Sequence, residues 1–249
     1  MPLGKAANAG VLPSCPTFNQ TITHYAYCQW CCMKFDILTL FPDIVYNYAS
    51  ESILKRAQKA GLIKVAAYNF RDYTKDKQRH VDDHPYGGGA GMVLQIQPIY
   101  DCLKAIKADR GKGAKTKIVI MDPSGKKFDQ RMAEKFSRLD RIILVCGRYE
   151  GFDERIYKLA DEKISAGDYI LSGGELPALT VVEAVSRLIP GVLGNEESLV
   201  EESHGGKTNI KTEYPQYTRP EDFNGMKVPK VLLSGDHKKI AEWRKKHSK

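Results

Sequence analysis

No stretch of this 249-residue chain stays apolar for the roughly 18 residues that a membrane-spanning helix needs, so a helical membrane protein is excluded. Its first residues lack the charged start and compact apolar core of a secretory signal. No G-x-x-x-x-G-K-S/T occurs, which removes a P-loop nucleotide site. No G-x-G-x-x-G follows the first strand-like run, which removes a Rossmann dinucleotide or Rossmann-type methyl-donor site. Cysteine is scarce past residue 32: only Cys102 and Cys146 remain, both in apolar surroundings that read as core. Cys15, Cys28, Cys31 and Cys32 crowd the start. The spacing Cys28-x-x-Cys31-Cys32 touches on a zinc pattern, but no second pair of matching spacing follows, so no metal site is expected. Nothing implies disulfides, and a reducing cytoplasm fits. Internal repeats are absent.

What is present is basic and unevenly spread. The net charge is +8. Residues 203–249 carry eleven Lys/Arg against five Asp/Glu, net +6. Residues 1–32 carry a single Lys and no acid, leaving +1 for everything between. A near-neutral body with a basic final segment suggests a polyanionic partner such as nucleic acid. Residues 1–32 show neither helical nor strand periodicity, and Met33-Lys34-Phe35-Asp36-Ile37-Leu38 begins afresh as a strand. The first 32 residues therefore read as a non-essential extension.

Strands and helices then alternate. Phe35–Phe41 reads as a strand ended by Pro42. Ser52–Ala60 has Ile53, Leu54 and Ala57 at helical spacing and closes at Gly61. Pro98 opens a helix with Ile99, Leu103 and Ile106 on one face. Lys117–Met121 is a strand ended by Asp122-Pro123-Ser124-Gly125. Asp129–Leu139 is a helix, Arg141–Cys146 a buried strand, and Asp153 caps a helix through Leu159. Ile164 and Tyr169–Leu171 are short extended pieces, and Glu175–Ile189 is a long helix stopped by Pro190-Gly191. This alternation predicts an α/β fold with a mostly parallel sheet. Residues 194–213 lose periodicity and read as a linker. After three prolines, Ser234–Lys246 reads as a helix of a small helical C-terminal unit.

Two glycine-bracketed stretches stand out. They are Val145-Cys146-Gly147-Arg148-Tyr149-Glu150-Gly151 and Ser165-Ala166-Gly167-Asp168-Tyr169-Ile170-Leu171-Ser172-Gly173-Gly174-Glu175. Each follows a strand and precedes a helix. Glycines there permit positive φ and close approach, so a ligand would be held largely by main-chain groups. Such sites form at strand ends in α/β proteins. The run Gly87–Gly91 reads as a bare glycine loop.

With Val81-Asp82-Asp83-His84-Pro85-Tyr86, Ile189-Pro190-Gly191-Val192-Leu193-Gly194 and Tyr217-Thr218-Arg219-Pro220, these motifs run in register across residues 33–249. In this the chain resembles the bacterial TrmD family, tRNA (guanine-N1)-methyltransferases of the SPOUT class. The resemblance implies a SPOUT-type sheet with a deep trefoil knot over 33–193, a linker over 194–213 and a basic, all-helical tRNA-binding domain over 214–249. It also implies a cytoplasmic homodimer with active sites between subunits. The implied reaction methylates N1 of guanosine 37 in tRNA from S-adenosylmethionine (SAM), bound bent. Carried over by position, the SAM pocket comprises Ile120, Met121, Gly147, Tyr149, Glu150, Gly151, Ser165, Ala166, Gly167, Asp168, Tyr169, Ile170, Leu171, Gly173 and Gly174.

The reaction sets two further demands. Guanine N1 must lose a proton as the methyl arrives, and charge growing on O6 calls for a cationic donor. The resemblance implies that Arg187, late in the long helix, fills the donor role. The base position, an Asp in the family, is Glu202 here, with Glu201 its neighbour in register; a second family Asp is Glu213. The family's C-terminal domain also continues past the point where this chain stops. Two other readings remain open: an RNA-binding module without catalysis, and a SPOUT enzyme acting on ribosomal RNA.

Overall fold

The computed structural model describes residues 32–108, 115–194 and 213–248. Residues 1–31 of the N-terminal extension, Glu201, Glu202 and nearly all of the linker lie outside the described residues.

The strands are β1 (Met33–Thr39), β2 (Ile63–Asn69), the short β3 (Asp82–Asp83) and β4 (Val93–Leu94), β5 (Thr116–Lys127), β6 (Arg141–Cys146) and β7 (Glu162–Ser165). Five of them form one sheet in the order β2-β1-β6-β5-β7, and every pairing in it is parallel. Parallel sheets are covered on both faces, so their strands read as continuous apolar runs. In β6, Ile142, Leu144 and Cys146 join one core cluster while Ile143 and Val145 join the other. The first cluster is closed by α1 (Pro42–Ala49), α2 (Ser52–Lys59), α4 (Gln130–Phe136) and α5 (Glu175–Ser186). The second is closed by α3 (Ile96–Ala105) and a 3-10 turn over Glu154–Leu159. Among the described residues, no helix is long and apolar enough to cross a membrane.

Several sequence expectations need correction. β1 ends at Thr39, short of Phe41, and Pro42 begins α1, where a first-turn proline loses no hydrogen bond. Asp122-Pro123-Ser124-Gly125 does not end β5. Met121 and Lys126 both pair with Ile164, so the four residues between them are extruded and the strand resumes to Lys127. Such a bulge bends a strand without stopping it. Gly125 makes it possible, since a Cβ there would lie 2.5 Å from the Ile164 amide nitrogen. Tyr169–Leu171 is not extended strand but part of an irregular loop. The long helix stops at Ser186 rather than Ile189.

The C-terminal unit is not all-helical. A hairpin pairs β8 (Asp222–Phe223) with β9 (Met226–Lys227) before α6 (Lys230–Leu233) and α7 (His237–His247). Its two-residue loop is Asn224-Gly225, both at positive φ, which is the preferred chemistry of a type I′ hairpin turn. That signal stands in the sequence; three prolines around it obscure it. Asp236 caps α7 by accepting from the Lys239 amide at 3.2 Å.

Candidate active site

A cleft of about 450 Å3 opens where β5, β6 and β7 end. That is within the roughly 300–1,000 Å3 of small-molecule sites. Met121, Gly147, Tyr149, Glu150, Gly151, Ser165, Ala166, Tyr169, Ile170, Leu171, Gly173 and Gly174 all line it, so the two glycine stretches form one concavity. Ile120, Gly167 and Asp168 do not line it. The reason for Ile120 is the period of two along β5: Met121 reaches the cleft, so Ile120 points to the opposite face and packs in the second core cluster. Asp168 pairs instead with Lys127. Gly167 lies beside the Tyr169 ring, and the Ser165 hydroxyl accepts from its N–H at 3.2 Å and donates to its C=O at 2.9 Å.

The glycines act mostly by closeness to protein, not by unusual φ. Of the five in the two stretches only Gly151 has positive φ. Gly174 donates its N–H to the Gly147 carbonyl at 2.9 Å, and a Cβ on it would sit 2.8 Å from Cys146 Cα. The two loops are thus stitched together at backbone contact. Arg148 ties them again. Its Nη2 lies 3.0 Å from Glu175 Oε2, Nη1 donates to the Ser172 carbonyl at 3.3 Å, and the guanidinium stacks 4.5 Å from the Phe41 ring centroid. Burial pushes the adjoining Cys146 thiol far up, with Glu175 adding to the rise and Arg148 opposing it. That thiol is inert core.

Sequence reasoning missed the rest of the wall: Asp122, Pro123, Ser124, Arg148, Phe152, Ile164, Ser172 and Pro177. The bulge carries three of these, and reading it as a turn hid them. Asp122 Oδ1 accepts from the Ser124 amide at 2.8 Å and hydroxyl at 2.6 Å, and Oδ2 accepts from the Tyr157 hydroxyl. Burial alone would raise the Asp122 carboxyl. The hydrogen bonds from Ser124 and Tyr157, with the Lys163 charge, outweigh it and leave the carboxyl below its ordinary value.

The run Gly87–Gly91 also belongs to this neighbourhood. Gly91 packs against Glu150, whose N–H donates to the Met92 carbonyl at 3.1 Å. Leu94 then donates to the Gly151 carbonyl at 2.9 Å. Arg187 follows the last residue of α5, half-buried, and does not line the cleft. At 1.5 Å per residue, the helix sets it about 18 Å from Glu175, whose neighbour Gly174 lines the cleft. Glu213 accepts from the Gln216 side chain at 3.3 Å, away from these groups in sequence.

A parallel sheet with a glycine-walled cleft at the carboxyl ends of its strands defines an α/β protein with a small-molecule site. The family of tRNA (Guanine-1)-methyltransferase TrmD matches residues 33–249, and the chain belongs to it. It is 54% identical over 217 residues to the tRNA (guanine-N(1)-)-methyltransferase of Ruminiclostridium cellulolyticum, covering 87% of this chain and 91% of that one. The enzyme of the same name from Clostridioides difficile is also 54% identical over 217 residues, covering 87% and 92%. That from Desulfitobacterium hafniense is 53% identical over 216 residues, covering 87% and 80%.

Proposed function

We propose that this chain, a tRNA (guanine-N1)-methyltransferase, methylates N1 of guanosine 37, beside the anticodon, with SAM as donor. The observation that carries this is the meeting of the two glycine stretches in one cleft of a chain of this family. The lining suits the donor. Met121, Pro123, Ile164 and Leu171 offer an apolar slot for a purine, and Glu150 offers a carboxylate for a cation. The glycines leave main-chain groups accessible where a side chain would block them. SAM supplies an electrophilic methyl group when bound.

The protein's own task is to prepare the nucleophile. Glu202 takes the proton from N1, and Arg187 meets the charge that develops on O6. The length of α5 separates Arg187 from the cleft of its own chain. This supports a homodimer in which Arg187 serves the partner's cleft. The deep trefoil knot belongs to the same reading. The basic segment 214–249 holds the tRNA. The test is methyl transfer from labelled SAM to unmodified tRNA, with the modified nucleotide mapped. Label at N1 of guanosine 37 is expected. Absence of transfer, or label confined to ribosomal RNA, would overturn the proposal.

A further inference from the structure

Three residues that line the cleft, Asp122, Ser124 and Phe152, are held from behind by two that do not, Tyr157 and Lys163. The Tyr157 hydroxyl donates to Asp122 at the start of the β5 bulge. The same ring meets Phe152, which lines the cleft, edge-on at 6.0 Å between centroids. Lys163 lies over the Tyr157 ring at 4.7 Å and donates through Nζ to Ser124 Oγ at 2.9 Å, at the far side of the bulge. Gly125 closes the bulge against the β7 backbone. The bulge thus has a fixed end at Gly125 and two side-chain anchors. Both anchors come from segments adjoining the two glycine stretches: Tyr157 follows the first, and Lys163 precedes the second.

An extruded four-residue segment has few backbone ladder bonds of its own. Its position must come from such anchors, because irregular backbone is ordered only where neighbours over-determine it. Asp122 is also a carboxylate whose oxygens are all engaged by protein, so it acts through the shape of the wall.

We infer that Tyr157 and Lys163 are positioning residues that hold the β5 bulge as one wall of the methyl-donor site. They thereby set donor affinity without taking part in methyl transfer. The inference rests on the assignment of the cleft to SAM. It separates binding from chemistry, since a displaced wall weakens ground-state and transition-state binding alike.

The test is SAM affinity by calorimetry and steady-state kinetics on the full-length enzyme. Tyr157→Phe should weaken SAM binding and raise its KM by about tenfold, the scale of a lost hydrogen bond to a charged group. Its kcat at saturating SAM should stay within about twofold, as expected for loss of uniform binding. Asp122→Asn should cost less than Asp122→Ala, because Asn Oδ1 still accepts from Ser124 while its amide donates to the Tyr157 oxygen. Asp122→Ala should weaken binding, and adding Tyr157→Phe to it should cost nothing more. Lys163→Met keeps length and loses the Ser124 bond, so it reports independently if Tyr157→Phe folds poorly. Wild-type protein that binds SAM, with Tyr157→Phe and Lys163→Met binding equally well, would overturn this inference alone. So would full additivity of Tyr157→Phe and Asp122→Ala. Wild-type protein that binds no SAM would overturn the assignment of the cleft as well.

Discussion

Arg148 and Glu175, 27 residues apart, form an ion pair at 3.0 Å beneath the junction of the two glycine loops. Glu175 is only 2% exposed. Its second oxygen accepts from the Thr39 hydroxyl at 2.7 Å, and that hydroxyl in turn accepts from the Phe41 amide at 2.9 Å. The pair therefore joins both loops to the end of β1. Removing the cation leaves a carboxylate buried without its counter-charge. Arg148→Ala should lower unfolding free energy by about 3 kcal/mol, read from urea titration. Arg148→Lys should lose less, since it keeps charge but not the planar fork. An unchanged midpoint for Arg148→Ala would show the pair to be structurally idle.

The body of the fold was legible because its signals are local. Arg141–Cys146 reads as a buried strand, and Asp153 as a helix cap; Asp153 accepts from the Arg155 amide at 2.9 Å. The two glycine stretches announced the cleft. What stayed hidden depends on distant partners. Nothing near Asp122 in sequence says that Lys126 will pair where Met121 did, nor that Tyr157, 35 residues on, will reach back to it. Ile120 and Gly167 followed from family position, and pleat direction and the Ser165 hydroxyl turn them elsewhere.

Substitutions at the glycines should separate by what each one touches. A Cβ at Gly173 would press on the Arg148 guanidinium and the Glu175 carboxylate. Gly173→Val should therefore lose stability as well as SAM binding. Overpacking of this kind costs about 1–3 kcal/mol. The atoms nearest a Cβ at Gly167 all belong to the half-exposed Tyr169 ring, which can swing away. Gly167→Val should keep its melting temperature and bind SAM less tightly through the displaced ring. Equal loss of stability in both variants would contradict this division.

Asp122 should leave a mark on acid stability. Its carboxyl sits below the ordinary value of 3.8 in the folded chain. The folded state therefore favours the charged form, and the resulting stability is present above pH 4. It is lost as pH falls through the lowered folded value, because the unfolded chain then binds the proton first. Asp122→Asn has no such proton. The difference in urea midpoint between wild type and this variant should be constant near pH 6 and shift below about pH 4. A constant difference down to pH 2 would mean that Ser124 and Tyr157 do not favour the charged form.

Arg187 and the cleft should complement between chains. Arg187→Ala should cut turnover by about 10²-fold, the scale for a lost charge-stabilising donor, and leave SAM affinity unchanged. Gly147→Val should block the cleft, since its Cβ would lie 2.7 Å from the Phe152 ring. Mixed dimers of the two inactive variants contain one intact cleft and one intact Arg187 on opposite chains. They should regain up to one working site per dimer. No recovery despite verified subunit exchange would place Arg187 in the service of its own cleft.

The basic C-terminal segment should provide tRNA affinity and leave the donor site alone. It holds +6 of the net +8 within residues 203–249. Helix α7 has no buried residue, and its last turn carries Arg244, Lys245 and Lys246. Its apolar contacts are few: Trp243 stacks on His247 at 4.2 Å and meets Tyr217 at 6.3 Å, while Arg244 lies over Tyr214 at 4.8 Å. These contacts fix the helix against the chain that follows the linker, and Lys238 and Lys245 stay exposed. Seven residues apart, those two share a face. Each phosphate contact releases a counterion, so binding should weaken steeply with salt. Lys238→Ala and Lys245→Ala should each reduce the salt slope by about one and weaken different tRNAs alike. Arg244→Ala should do more, because it also removes the contact that holds Tyr214. SAM affinity should not change in any of them, since no described residue of this segment lines the cleft. A salt slope equal to wild type in both lysine variants would reduce the segment to a charged solubilising surface.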